Sequence, residues 1–477
     1  MNIHRTKKAM VALCAVVGLG GCGDLDVPDL DNPSLDDFRN SPTPSGVYSA
    51  STGLLLGHRV GVAARNGYVA ELGVIGREAY VFDGAEPRTV QELLGPQLDP
   101  GALAFGGNFW SSPYANIRNA NTLLAALDIV PGVDDADKEA IRGFAKTMQA
   151  LDFLVVINTR DTNGVPIDVD RPLGSELAPI ESKEAVFAHI SRLLDEGANH
   201  LRAGGSTFPF SLSTGFMGPD ERSRDDDFDN PRTTFLRFNR AIRARVAVYQ
   251  ADYQGALTAL SESFIDATAP LGDGEGPDDD AAHTTALTSL SRGVYHTFST
   301  GSGELENLLS SGGVFAHPSI ETDADRRANG SLDARVTRKT QKMEEAVSAA
   351  DGKLTTDLEF TLYPKGDSQV PIIRNEELIL LRAEANIGLG NIGAAADDIN
   401  YIRTRSGRLA ARTDITAENA LDELLKQKRY SLLFEGGHRW IDLRRYNRLD
   451  TLPRELDPSF APHERFPIPA VETDGRK

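Results

Sequence analysis

Eight stretches of this chain repeat one spacing, with apolar residues three and four positions apart: 114–128, 136–157, 184–202, 235–250, 254–264, 374–388, 392–406 and 419–435. That period lines the apolar side chains along one stripe of an α-helix, which has to be buried against another element. Strand signals are short and few, at Val155–Ile157 and around Thr361–Tyr363. Two of the helical regions also match each other without gaps, "RARVAVYQADYQGALTAL" from Arg243 and "RAEANIGLGNIGAAADDI" from Arg382. Each reads Arg-Ala, a helix, a short polar turn (Ala251-Asp252 or Gly390-Asn391) and a second Ala-rich helix. Small residues at Ala244 and Ala383, and at Ala256 and Ala395, let antiparallel helices approach closely, which is tetratricopeptide logic. Two generic helical hairpins would look similar, and the period is not a clean tandem one. The predicted fold class is mainly α, a tetratricopeptide-like helical hairpin scaffold with long irregular loop insertions and a few short strands.

With no low-complexity linker between the helical blocks, residues 46–477 read as a single domain. Three insertions lack helical periodicity, 76–112, 203–233 and 266–370, and are rich in Gly, Pro, Asp, Ser and Thr with scattered aromatics. Loops of that length in a compact body are usually functional or disordered.

The N-terminus has its own logic. Arg5, Lys7 and Lys8 precede an uncharged apolar run, Ala9 to Leu19, and Leu19-Gly20-Gly21 leads into Cys22. This reads as an export signal over 1–21, too short to span a bilayer. A cysteine at that place resembles a bacterial lipobox, in which the thiol is diacylated, giving lipidation at Cys22. An ordinary signal cut nearby would leave Cys22 incidental. The chain has two cysteines, and Cys14 would leave with the signal, so no thiol remains for a disulfide, a metal or a nucleophile. Residues 22–45 read as an acidic tether. Several acyl chains on one residue make a stable anchor. Removing the signal's three positive charges takes the formal charge from −19 to −22, which excludes an electrostatic footprint for nucleic acid.

The C-terminal third is the most specific part. "RNEELILLRAEANIGLGNIGAAADDINYIRTRSG" (374–407) and "LLKQKRYSLLFEGGHRWIDLRRYNRL" (424–449) are followed by "ERFPIPAVETDG". Together they resemble the SusD/RagB family of outer-membrane nutrient-binding lipoproteins. "FWSSPYANIRNAN" (109–121), "FLRFNRAIRARVAVY" (235–249) and Asp333-Ala-Arg335-Val fit the same family. The chain departs from it at Gln427-Lys428-Arg429, where Glu often precedes the basic pair, and more loosely in "KTMQALDFLVVINTRDTNGVPI". The resemblance implies a non-enzymatic, lipid-anchored protein facing the cell exterior at the outer membrane. It would act as the lid of a SusC-like TonB-dependent β-barrel transporter and deliver oligosaccharide or peptide to it. No cofactor is implied.

Within the late motif, Glu435, Arg439, Trp440, Asp442 and Arg444 read as a structural corner of carboxylates and guanidinium forks. Glu435 and Asp442 with His438 between them would be the catalytic alternative, as in glycoside hydrolysis. Arginines so close would hold those carboxylates ionised, against a general acid. No His pair sits on one helix face and no Gly-Gly pair has a phosphate-loop setting, so no metal or nucleotide site is predicted; "RDDDFDN" (224–230) reads as a solvated acidic loop rather than a Ca²⁺ site. Sugar binding needs aromatic faces beside amides, carboxylates and guanidinium groups. The loop candidates are Phe105, Asn108, Phe109 and Trp110, then Phe208, Phe210 and Phe216, then Tyr295, His296 and Phe298. Two other classes stay open: a surface glycoside hydrolase and a tetratricopeptide-type adaptor that binds protein only.

Overall fold

The computed structural model describes residues 35–102, 107–172, 174–217, 230–270 and 281–476. The signal segment, Cys22, Phe105 and residues 224–229 of the acidic tract lie outside the described residues, as does the side chain of Asn108. In chain order the elements are α1 (Leu35–Asn40), α2 (Pro44–Arg59), α3 (Tyr68–Ile75), β1 (Ala79–Val81), α4 (Arg88–Gln91), α5 (Asn108–Ile129), α6 (Asp135–Arg160), α7 (Lys183–Ala203), α8 (Leu236–Tyr249), α9 (Tyr253–Ser261), α10 (Ala281–Ser291), β2 (Gly293–His296) and β3 (Val314–Ala316). They continue with α11 (Ser319–Thr322), α12 (Ala334–Lys339), β4 (Thr340–Ala349), β5 (Leu354–Phe360), β6 (Val370–Arg374), α13 (Asn375–Gly388), α14 (Ile392–Arg405), α15 (Ala420–Ser431), α16 (His438–Arg445) and α17 (Ala470–Asp474).

The fold is mainly α. Helices α5, α6, α7 and α8 pack in sequence as antiparallel neighbours, and α8–α9 and α13–α14 form the two hairpins that the internal match predicts. These two hairpins pack on one another. Ala244, Ala256, Ala383 and Ala395 are all fully buried where the helices approach. Gly388 shows how close that approach is: a Cβ there would lie 2.1 Å from the Tyr253 ring. The turns differ in chemistry but not in shape, since Ala251 (φ 58) and Gly390 (φ 77) are both left-handed. Asp252 caps α9 by accepting from the Gly255 amide at 3.0 Å.

Helix α2 carries no clear periodic signal in the sequence, because "PSGVYSASTGLLLGHR" is rich in Gly, Ser and Thr. Thr43 caps it by accepting from Gly46 N at 3.1 Å, Pro44 occupies its first turn, and Val47, Leu54 and Leu55 are buried against the bundle. Residues 35–40 of the expected tether form α1, with Phe38 packed on the same core.

The strands lie elsewhere than the sequence reading placed them. Val155–Ile157 is inside α6, where Val156 and Ile157 are buried and Val155 is half-buried. The strand near Thr361–Tyr363 is β5, which ends at Phe360. The 266–370 insertion is therefore largely ordered, with β2 to β5 built from it. A four-stranded antiparallel sheet runs β1-β3-β5-β4, with Ala79 opposite Ala316 and Phe315 opposite Glu359; β2 and β6 form a separate pair. Leu354 and Leu358 of β5 point inward with Thr356, whose hydroxyl donates to Ala316 O at 2.7 Å, while Thr355 is exposed. The sheet, α3 and the segment 430–466 share one core, and α2 and α5–α9 share another.

Candidate functional site

After α6 the chain turns at Gly164 (φ 69), where a Cβ would meet Glu181 O at 2.1 Å. Val165 and Glu181 then exchange backbone hydrogen bonds of 3.2 and 3.0 Å, closing residues 166–180 into a loop at its base. Arg171 braces the loop from within, donating to Asp168 at 2.6 and 2.9 Å and to Glu176 O at 3.2 Å. Arg476, beyond α17, donates to Ala178 O at 2.6 Å and pairs with Glu472, tying the loop to the C-terminal segment.

Between this loop, the start of α5 and α17 lies a cleft of about 330 Å³. Trp110, Tyr114, Pro166, Val169 and Leu177 supply its apolar side. Arg118, Asp168, Arg171, Glu472 and Arg476 supply its charges. Trp110 and Tyr114 sit one turn apart on α5 with ring centroids 5.1 Å apart. The Tyr114 hydroxyl donates to Pro166 O at 2.6 Å, and burial pushes its pKa well up, so it stays protonated. Behind Trp110 stands Arg160, its guanidinium 5.4 Å from the ring centroid; burial pulls that guanidinium down to about 9. Leu177 is 50% exposed at the rim. Apolar faces beside guanidinium and carboxylate groups suit a saccharide or a short peptide.

The other aromatic candidates are drawn into the core. Phe210 and Phe216 belong to a cluster with Phe144, Phe208, Phe235 and Phe238, where the Phe216 ring stacks on Phe235 at 5.7 Å. Phe109 and Phe298 are buried in the sheet-side core. Tyr295 is buried with its hydroxyl donating to Ser291 O, and His296 packs on His58 at 5.1 Å, held neutral by burial. Apolar rings in glycine-rich loops gain from burial, and the core claims most of these, though Tyr295 also lines a separate cavity of about 350 Å³. The cleft loop, 164–182, lies outside the three insertions chosen from the sequence. Its signal was the run of Pro, Gly and Asp in "DTNGVPIDVDRPLGSELAP" directly after a long helix.

The late motif is a dense buried ion-pair network. Arg374 forks onto Glu435 at 2.8 and 2.9 Å, also pairing with Glu376, and Lys339 reaches Glu435 at 3.0 Å. Burial works to raise the Glu435 pKa, but Arg374 and Lys339 hold it below the usual value. Asp442 is shared by Lys428 at 2.7 Å and Arg445 at 3.0 Å, and both cations also contact Glu384 at 2.8 Å. Trp440 is fully buried and donates from Nε1 to His463 O at 2.8 Å, with the Arg444 guanidinium 4.4 Å from its ring centroid. Gln427, the departure from the family pattern, accepts from Arg335 and donates to Glu423, each at 2.7 Å. Glu435, Asp442 and Glu384 are thus each held in ion pairs with two cations. Among the described residues no three His, Cys, Asp or Glu side chains gather as a metal site, and no helix is long and apolar enough to cross a membrane.

Residues 352–464, which include the ion-pair network from Arg374 to Trp440, match the family model described as the SusD family. That segment is similar to the SusD family. No curated protein matches it in sequence. Its fold matches a SusD superfamily protein from Bacteroides vulgatus (TM-score 0.66, 16% identity, 90% of this chain and 96% of that one). It also matches a laminarin-binding SusD-like protein (TM-score 0.61, 18% identity, 91% and 98%). A surface glycan-binding protein A from Bacteroides uniformis is similar too (TM-score 0.65, 15% identity, 90% and 97%). At such identities these structures show that the SusD fold extends over nearly the whole chain.

Proposed function

We propose that this chain is a SusD-family carbohydrate-binding protein that holds an oligosaccharide, without cleaving it, in the cleft between α5, the 164–182 loop and α17. The observation that carries the reading is the pairing of Trp110 and Tyr114 with a rim of arginines and carboxylates in an open cavity of about 330 Å³. Two of the solved structures it resembles are described as laminarin-binding and glycan-binding, which supports a saccharide over a peptide. Diacylation at Cys22 would hold the body at the outer membrane, facing the exterior. There it would serve as a lid over a SusC-like TonB-dependent β-barrel. Confinement beside the pore raises the effective concentration for hand-over, so modest affinity suffices.

Isothermal titration of the protein with a panel of neutral oligosaccharides, followed by chromatography of the recovered sugar, tests this reading. Saturable binding with the sugar returned intact is the expected result. Released reducing ends would make it a hydrolase, and no binding across the panel would remove the carbohydrate role. Co-purification of a large β-barrel with the acylated protein from membranes tests the partner.

A further inference from the structure

Another cavity, of about 290 Å³, is lined mainly from α15 and α16 and shares no residue with the first. Its walls carry four cations, Lys426, Lys428, Arg429 and Arg439, and two carboxylates, Asp323 and Asp442. So basic a wall is unexpected on a chain of formal charge −19. Three of the four cations have acidic partners. Lys426 pairs with Asp325, Lys428 with Asp442 and Glu384, and Arg429 with Asp323 at 2.8 Å.

Arg439 is different. Its hydrogen bond runs from Nη1 to the Arg77 carbonyl at 3.0 Å, and it makes no ion pair with any described carboxylate. The rest of its fork is neither bonded to protein nor sealed in the core, and Arg439 lines the cavity. Burial and then the Arg429 charge pull the Arg439 pKa down to about 9, against the opposing charges of Glu78 and Asp323. Glu78, whose charge also acts on Arg439, is itself pushed up to about 7 by burial and is only partly ionised at neutral pH. The adjacent Arg429 has a buried Nε without a partner. A guanidinium fork with free donors, backed by a second guanidinium, matches the geometry of an oxyanion.

We infer that this cavity is a binding site for a small oxyanion, a carboxylate or sulfate group, centred on Arg439 with Arg429 in support. The group can be inorganic or carried on an acidic sugar unit, and the cavity is small for anything larger. The proposal does not depend on the cleft at Trp110 and stands or falls separately from it.

The test is titration of the full mature protein with sodium sulfate, glucuronate and glucose at constant ionic strength, for the natural chain and for Arg439→Gln and Arg439→Lys. Sulfate and glucuronate are expected to saturate, and any glucose binding to be the same in all three proteins. Arg439→Gln should weaken both anions by about tenfold or more, and Arg439→Lys, which keeps the charge but not the fork, by less. Sulfate without glucuronate would assign the site to a free ion, and both together to a group carried on sugar. Anion binding unchanged in Arg439→Gln would overturn the inference. Should Arg439→Gln fail to fold, Arg439→Lys still decides, weaker anion binding supporting the inference and unchanged binding overturning it.

Discussion

Glu384 offers a quantitative handle on the buried network. Its carboxylate is fully buried on α13 and contacts Lys428, Arg445 and the Tyr446 hydroxyl, each at 2.8 Å. Burial acts to raise its pKa, but Arg445 and Lys428 overcome that and hold it at about 2 against an ordinary 4.5. A gap of that size corresponds to about 3 kcal/mol of differential stabilisation. Because the folded value is the lower one, this stabilisation is present above pH 4.5 and is lost as the pH falls toward 2. Glu384→Gln keeps the size and an acceptor but leaves Lys428 and Arg445 sharing Asp442 alone. Removing one partner of a buried pair costs about 3–5 kcal/mol. The shared Asp442 puts the expected loss near the lower end of that range. Urea unfolding followed by Trp fluorescence should therefore show the variant about 3 kcal/mol less stable at pH 7. Its deficit should shrink steadily between pH 4.5 and 2. Glu376, also held near 2 by Arg374, titrates in both proteins and cancels from the difference. Equal stability at pH 7, or a deficit that does not change with acid, would refute the reasoning.

Phe216→Ala removes a 2%-exposed ring from the Phe235–Phe238 cluster and should cost about 3–5 kcal/mol in urea unfolding, with oligosaccharide affinity of the folded fraction unchanged. Gly388→Val, placed against the Tyr253 ring, should destabilise by about 1–3 kcal/mol, seen as a lower melting temperature. Arg171→Ala removes a surface ion pair of small structural worth, so the melting temperature should hold while oligosaccharide affinity, read by calorimetry, falls by about 1–2 kcal/mol.

How much of this was legible beforehand follows from which forces write themselves into local sequence. The long helices announce themselves because each buries one stripe, and the predicted 136–157 segment falls within Asp135–Arg160. The Arg243 and Arg382 hairpins were readable because close packing demands Ala at fixed places. Helix α2 was hidden because its stability is tertiary, resting on burial of Leu54 and Leu55 rather than on propensity. The β4–β5 hairpin was hidden because β4 is an exposed, charged strand with no apolar alternation. The aromatic candidates raise a different question: residue type says that a ring can stack on sugar, but not how much of it the core has claimed. Trp110 lines the cleft and Phe210 does not, a difference set by the 164–182 loop folding back over α5.

The most direct measurement is a crystal structure of the complex with the tightest-binding oligosaccharide from the titration panel. Sugar density lying against Trp110 and Tyr114, with hydroxyls on Arg171 or Glu472, is the expected result. Well-ordered sugar bound elsewhere on the molecule, with this cleft filled only by solvent, would contradict the account.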